Sequence, residues 1–98
     1  MNNIFEQANN IVNVNIDRRK LYGSYHDCNK RIAKIMSLLT NKDITITDIF
    51  YLEIAMKIAR EIQTHKEENI VDIIAYFGAL NNELNDELND ELNNELKL

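Results

Sequence analysis

Apolar residues Ile4, Phe5, Ala8, Ile11 and Val12 recur at i, i+1, i+4, i+7 and i+8, which predicts one helix over about residues 2–15. A polar and glycine-containing stretch, residues 17–24, breaks the pattern and reads as a connection, because Gly23 can take the positive φ of a sharp turn. A second helix is expected from Tyr25 or His26 to Leu39, with Cys28, Ile32, Ile35, Met36 and Leu39 facing inward. Residues 43–48 alternate like a strand, but no second strand-like run exists to pair with them, so an extended connection is expected. Thr47 then suits an N-cap, with Asp48 placing negative charge at the positive end of the helix dipole.

The third helix, to about Thr64, is apolar at every position from 49 to 56 except Glu53, a pattern that predicts burial on most sides by the other helices. After a polar turn at His65 and Lys66, a fourth helix begins near Glu67 with Ile70, Val71, Ile73, Ile74 and Phe77 as core. The expected fold class is therefore all-α, a compact four-helix unit over residues 1–80 with a central apolar third helix. Residues 81–98 repeat Asn-Asn/Asp-Glu-Leu with leucines at 84, 88, 92 and 96. A strict period of four drifts about 40° per repeat around a helix, and asparagine is a poor helix former, so this low-complexity tail is expected to be a helical extension or disordered.

Composition adds limits. With 98 residues, one domain is expected and self-association would help it, so a homo-oligomer is anticipated. The longest nearly unbroken apolar stretch, residues 73–80, is too short to span a membrane, and the N-terminus lacks the basic start and apolar run of a secretory signal, so a cytoplasmic protein is expected. The single Cys28 has no partner for a disulfide or a zinc pair and reads as a small buried hydrophobe.

The formal charge of -5 is unevenly placed. Residues 1–80 hold ten Lys/Arg and ten Asp/Glu, whereas residues 81–98 hold one Lys and six acids. Residues 17–42 carry seven basic side chains against Asp17 and Asp27, a local excess of positive charge that can attract a small anion, although duplex nucleic acid is not an expected partner.

The candidate chemistry lies on the third and fourth helices. Glu53, Lys57, Arg60 and Glu61 share one face, and Glu68, Asp72 and Tyr76 share another. In an antiparallel hairpin about residues 64 and 65, Lys57 comes level with Asp72, Arg60 with Glu68 or Asn69, and Glu53 with Tyr76. These side chains can be interhelical ion pairs that set register. Alternatively, Lys57 and Arg60 can hold phosphate, or Glu53, Glu68 and Asp72 can offer hard oxygen ligands to a divalent cation. In the connection, Tyr22 can stack on a base while Arg18 and Arg19 meet phosphate, or it can pack the loop onto the core. No glycine-rich phosphate loop, nucleophile elbow, Cys/His pair or HExxH is present, so no catalytic residue is assigned.

The words Asp17-Arg18-x-x-x-Tyr22-Gly23, Asn29 with Ile32-Ala33, Lys57-Ile58-Ala59-Arg60 and Glu68-x-x-x-Asp72-Ile73-x-Ala75-Tyr76 resemble the pattern of a family of short phage proteins of unassigned function. That family in turn is distantly similar to the all-α nucleoside triphosphate pyrophosphatases of the MazG type, in which helices supply carboxylates to magnesium. The resemblance spans about residues 11–80 and implies a nucleotide or cyclic nucleotide as ligand. The Glu-x-x-Glu and Glu-x-x-Asp pairs of those enzymes are missing from the body of this chain. The leading expectation is therefore a small helical nucleotide-binding protein, acting by sequestration of a host signalling nucleotide with Arg18, Arg19, Tyr22, Lys57 and Arg60 and no cofactor. A magnesium-dependent pyrophosphatase using Glu53, Glu68 and Asp72, and a protein interaction module, are the alternatives.

Overall fold

A computed structural model of the chain describes residues 3–14 and 24–96. The architecture is all-α, with no strand among the described residues. Helix α1 spans Ile4–Asn9 and continues as a π-helical segment, Asn10–Val14, in place of one uniform helix. Its N-cap is Asn3, whose side chain accepts from the Glu6 N–H at 2.9 Å. Ala8 is buried and Ile4, Ile11 and Val12 pack beside it, whereas Phe5, expected on the same stripe, is exposed.

Helix α2, Tyr25–Thr40, starts at Ser24, whose hydroxyl accepts from the Asp27 N–H. It ends at Asn41 in the left-handed region (φ 53°), a conformation asparagine tolerates better than most residues. Its buried line is Asn29 and Ala33, while Ile35 and Leu39, expected inward, are exposed. Ile32 and Met36, also expected inward, are half-buried. Cys28 is half-buried.

The extended connection is shorter than expected, because the helix that follows begins at Ile46. The N-cap is Thr45, not Thr47: Thr45 accepts from the Asp48 N–H, and the Asp48 carboxylate accepts from the Thr45 N–H, a reciprocal capping box. The Ser37 hydroxyl on α2 accepts from the Ile44 N–H, and its one proton lies within reach of the carbonyls of Ala33 at 2.8 Å and Ile44 at 3.1 Å, so the chain is tied to α2 just ahead of the cap. Thr47, one turn in, donates to Glu87 instead.

Helix α3, Ile46–Gln63, and helix α4, Glu67–Leu96, form the antiparallel hairpin that the turn at residues 65 and 66 predicts. Phe50 and Ile54 of α3 join Val71, Ala75, Tyr76 and Leu80 of α4 and Ala8 of α1 in the main core. Burial of α3 on most sides does not occur. Ile49, Phe50 and Ile54 are covered, but Tyr51, Leu52, Met56, Ile58 and Ile62 are exposed, the last at 82%. Among the described residues α3 packs chiefly on α2 and α4, with Ala8 of α1 reaching the same core, and these neighbours do not cover the whole circumference of the helix.

On α4, Val71 is buried as expected and Ile70, Ile73 and Ile74 are half-buried, whereas Phe77 is exposed and Ala75, Tyr76 and Leu80 take the core positions. The acidic repeat is helical: α4 passes residue 80 without a break and runs to Leu96. Thirty residues at 1.5 Å rise span about 45 Å, which accounts for the 50 Å long axis of the molecule.

Candidate functional site

Three i, i+4 pairs on three helices meet in one polar seam: Tyr25 and Asn29 on α2, Glu53 and Lys57 on α3, Asp72 and Tyr76 on α4. Lys57 Nζ pairs with Asp72 Oδ2 at 2.7 Å, the contact expected from the hairpin register. Both side chains are largely covered, at 21% and 19% exposure, so the pair is well shielded from water. Near the turn, Glu61 closes the hairpin: it is hydrogen bonded to His65 and accepts from the Lys66 N–H and from Asn69 Nδ2. The His65 hydrogen bond, then the Lys66 N–H, hold the Glu61 carboxyl below its ordinary pKa.

Glu53 was expected level with Tyr76, and Tyr25 joins them. The Tyr25 hydroxyl donates to Glu53 Oε2 at 2.7 Å, and its ring stacks on Tyr76 with centroids 5.3 Å apart and planes 4° apart. Its other side meets Phe50 at 5.5 Å in a tilted contact. Burial, then the hydrogen bond to Glu53 and the charge on that carboxylate, push the Tyr25 phenol far above its ordinary pKa. The Asn29 amide pulls the other way, yet its buried Nδ2 has no hydrogen-bond partner, an omission that costs about 1–3 kcal/mol.

Tyr25 therefore stays protonated while the protein is folded. An unfolded tyrosine ionises near 10, so above roughly that pH the unfolded state binds fewer protons and stability falls as pH rises. In a spectrophotometric titration, folded parent and folded Tyr25→Phe should release equal numbers of phenolic protons, and the parent should release one more on unfolding. An extra step in the folded parent would contradict the assignment.

The candidate residues are not gathered into one constellation. Glu68 is exposed, Glu53 is engaged by Tyr25 and Asp72 by Lys57, and no group of three His, Cys, Asp or Glu side chains placed to hold a metal ion occurs among the described residues. Arg60 is exposed on α3, and Asn69, one of its expected partners, bonds to Glu61. Arg18, Arg19 and Tyr22 lie outside the described residues. Tyr25 went unassigned at the sequence level, although its i, i+4 relation to Asn29 matches that of Glu53 to Lys57 and Asp72 to Tyr76.

Beside the seam, a cleft of about 270 Å³ opens between the start of α2 and the middle of α4. Tyr25, Phe50, Val12 and Ala79 supply its apolar surface, and His26, Asn82, Glu83 and Asp86 its polar groups. His26 Nε2 lies 2.9 Å from Glu83 Oε2, which ties α2 to α4 at the rim. Val12 and Ser24 also line this cleft.

The fold and seam define an all-helical protein with a tyrosine-centred polar junction and a small aromatic cleft. Its family is shown by a match over residues 3–85: the chain belongs to the family described as Domain of unknown function (DUF6378). No curated protein and no solved structure matches it. Among the described residues, no helix is long and apolar enough to cross a membrane.

Proposed function

We propose that the chain binds a nucleotide, linear or cyclic, without hydrolysing it, with the base in the cleft at the start of α2. The position and lining of this cleft carry the reading. Its apolar wall, the half-buried Tyr25, Val12 and Ala79 over the buried Phe50, suits a planar base, and the carboxylates of Glu83 and Asp86 suit exocyclic amino groups as hydrogen-bond donors. The connection bounded by Val12 and Ser24 holds Arg18 and Arg19 for phosphate and Tyr22 for stacking.

Lys57 and Arg60 drop out of this proposal. They lie seven and ten residues beyond Phe50 on α3, roughly 10 and 15 Å along the axis, and Lys57 is neutralised by Asp72. Hydrolysis draws no support from the dispersed positions of Glu53, Glu68 and Asp72. Binding without turnover fits sequestration of a signalling nucleotide by a small protein with no assigned catalytic group.

The test is incubation of the full chain with a panel of canonical and cyclic nucleotides, with and without magnesium, followed by chromatography. The expected result is depletion of one free nucleotide, recovered intact on denaturation, with depletion lost in Arg18→Ala/Arg19→Ala and retained in Lys57→Ala. Product appearing only with magnesium would establish an enzyme instead. Unchanged nucleotide throughout the panel would remove the nucleotide reading.

A further inference from the structure

Helix α4 keeps contact with its own chain as far as Glu87, which accepts from the Thr47 hydroxyl. Every described residue from 84 onward is exposed, including Leu88, Leu92 and Leu96. Residues 88–96 therefore stand as about 13 Å of helix with no packing partner among the described residues. Such a segment, rich in asparagine, is a poor helix on its own, because short isolated helices are marginal in water. Its charged side chains are Asp90, Glu91 and Glu95.

Helix α2 carries the complement. Its buried line is Asn29 and Ala33, and Ile35, Leu38 and Leu39 lie about 140–240° around the helix from Ala33. They face away from the core, with Leu38 84% and Leu39 77% exposed. Lys30 and Lys34 are exposed on the same helix, and Lys42 is exposed just past its C-cap. Three leucines and three acids on the tail thus stand against three aliphatic side chains and two lysines on α2, with Lys42 just beyond its end.

The two surfaces cannot meet within one chain. Helix α4 runs unbroken from Glu67 to Leu96, and the outer side of α2 is turned away from the core it helps to cover. We infer that residues 88–96 of one copy dock on the outer side of α2 of a second copy, reciprocally, forming a two-fold dimer by exchange of tails. A two-fold axis makes each chain donor and acceptor at once, so both unpartnered surfaces are covered in a closed pair. Each copy contributes both surfaces, so the contact is made twice in the closed pair. The opposed charges steer encounter and set which helix faces which.

The test measures the mass of the full chain by sedimentation at concentrations up to about 200 µM. A dimer is expected, weakened about tenfold or more by 1 M salt, which shortens the Debye length from ~10 Å to ~3 Å. Lys30→Glu/Lys34→Glu/Lys42→Glu and Asp90→Lys/Glu91→Lys/Glu95→Lys should each be monomeric alone, with unchanged helical circular dichroism. Mixed one to one they should form a heterodimer, because both exchanged contacts then regain opposite charges. Deletion of residues 88–98 should also give a folded monomer. A monomeric parent, a mixture that stays monomeric, or a dimer that survives the deletion, held for instance by the exposed apolar side of α3, would overturn the proposal.

Discussion

Replacing Lys57 by alanine is expected to lower stability by about 2 kcal/mol, since it leaves the Asp72 carboxylate shielded from water without its cation. For a domain of this size that corresponds to a fall in Tm of roughly 10 °C. The double variant Lys57→Met/Asp72→Leu should recover most of the loss, because two apolar side chains of similar volume remove both desolvated charges together. Thermal unfolding followed by circular dichroism measures this. The nucleotide assay on the same variants separates a structural ion pair from a phosphate site. A Lys57→Ala protein with parental Tm and no nucleotide binding would assign the lysine to ligand and displace the site from the cleft.

A larger effect is expected at Phe50, 1% exposed and in contact with the Tyr25 ring. Phe50→Ala removes a core aromatic and leaves a cavity, at a cost of about 3–5 kcal/mol, against a total stability on the order of 5–15 kcal/mol for a typical domain. The variant should sit close to its unfolding transition at room temperature, and urea unfolding would show a large fall in midpoint with little change in slope. Phe50→Leu keeps most of the volume and should cost about 1.5 kcal/mol or less. Since Phe50 also lines the cleft, Phe50→Leu offers a folded protein in which weaker nucleotide binding reports on the base pocket itself. Parental stability in Phe50→Ala would mean that the core does not close around this ring.

The elements that could be read in advance are those that depend on counting along one strand of chain. The α3–α4 hairpin folds about residues 64 and 65, so residues equidistant from that point become neighbours, and Lys57 opposite Asp72 follows from arithmetic and helix rise alone. The capping box is equally local, since Thr45 and Asp48 stand three residues apart, and only the tie of Ile44 to Ser37 on another helix lay beyond such counting. Asn29 was visible as a motif residue, but its burial beside Tyr25 was not, since a polar residue on a helix carries no periodic signal of its own.

The amphipathic spacing of the chain determined that it is all-helical, roughly where the first three helices lie and where the fourth begins, and that Lys57 comes opposite Asp72, because these follow from local geometry and sequence separation. Tertiary structure decided which side of each helix is covered. On α2 and α3 apolar residues occupy more of the circumference than the neighbours can reach, so the contacts chose Ala33 over Ile35 and Leu39, and Ile49, Phe50 and Ile54 over Tyr51, Met56 and Ile62. It also decided that Tyr25 would close the polar seam, since a side chain at a helix start reaches Glu53 and Tyr76 only when three helices are packed together.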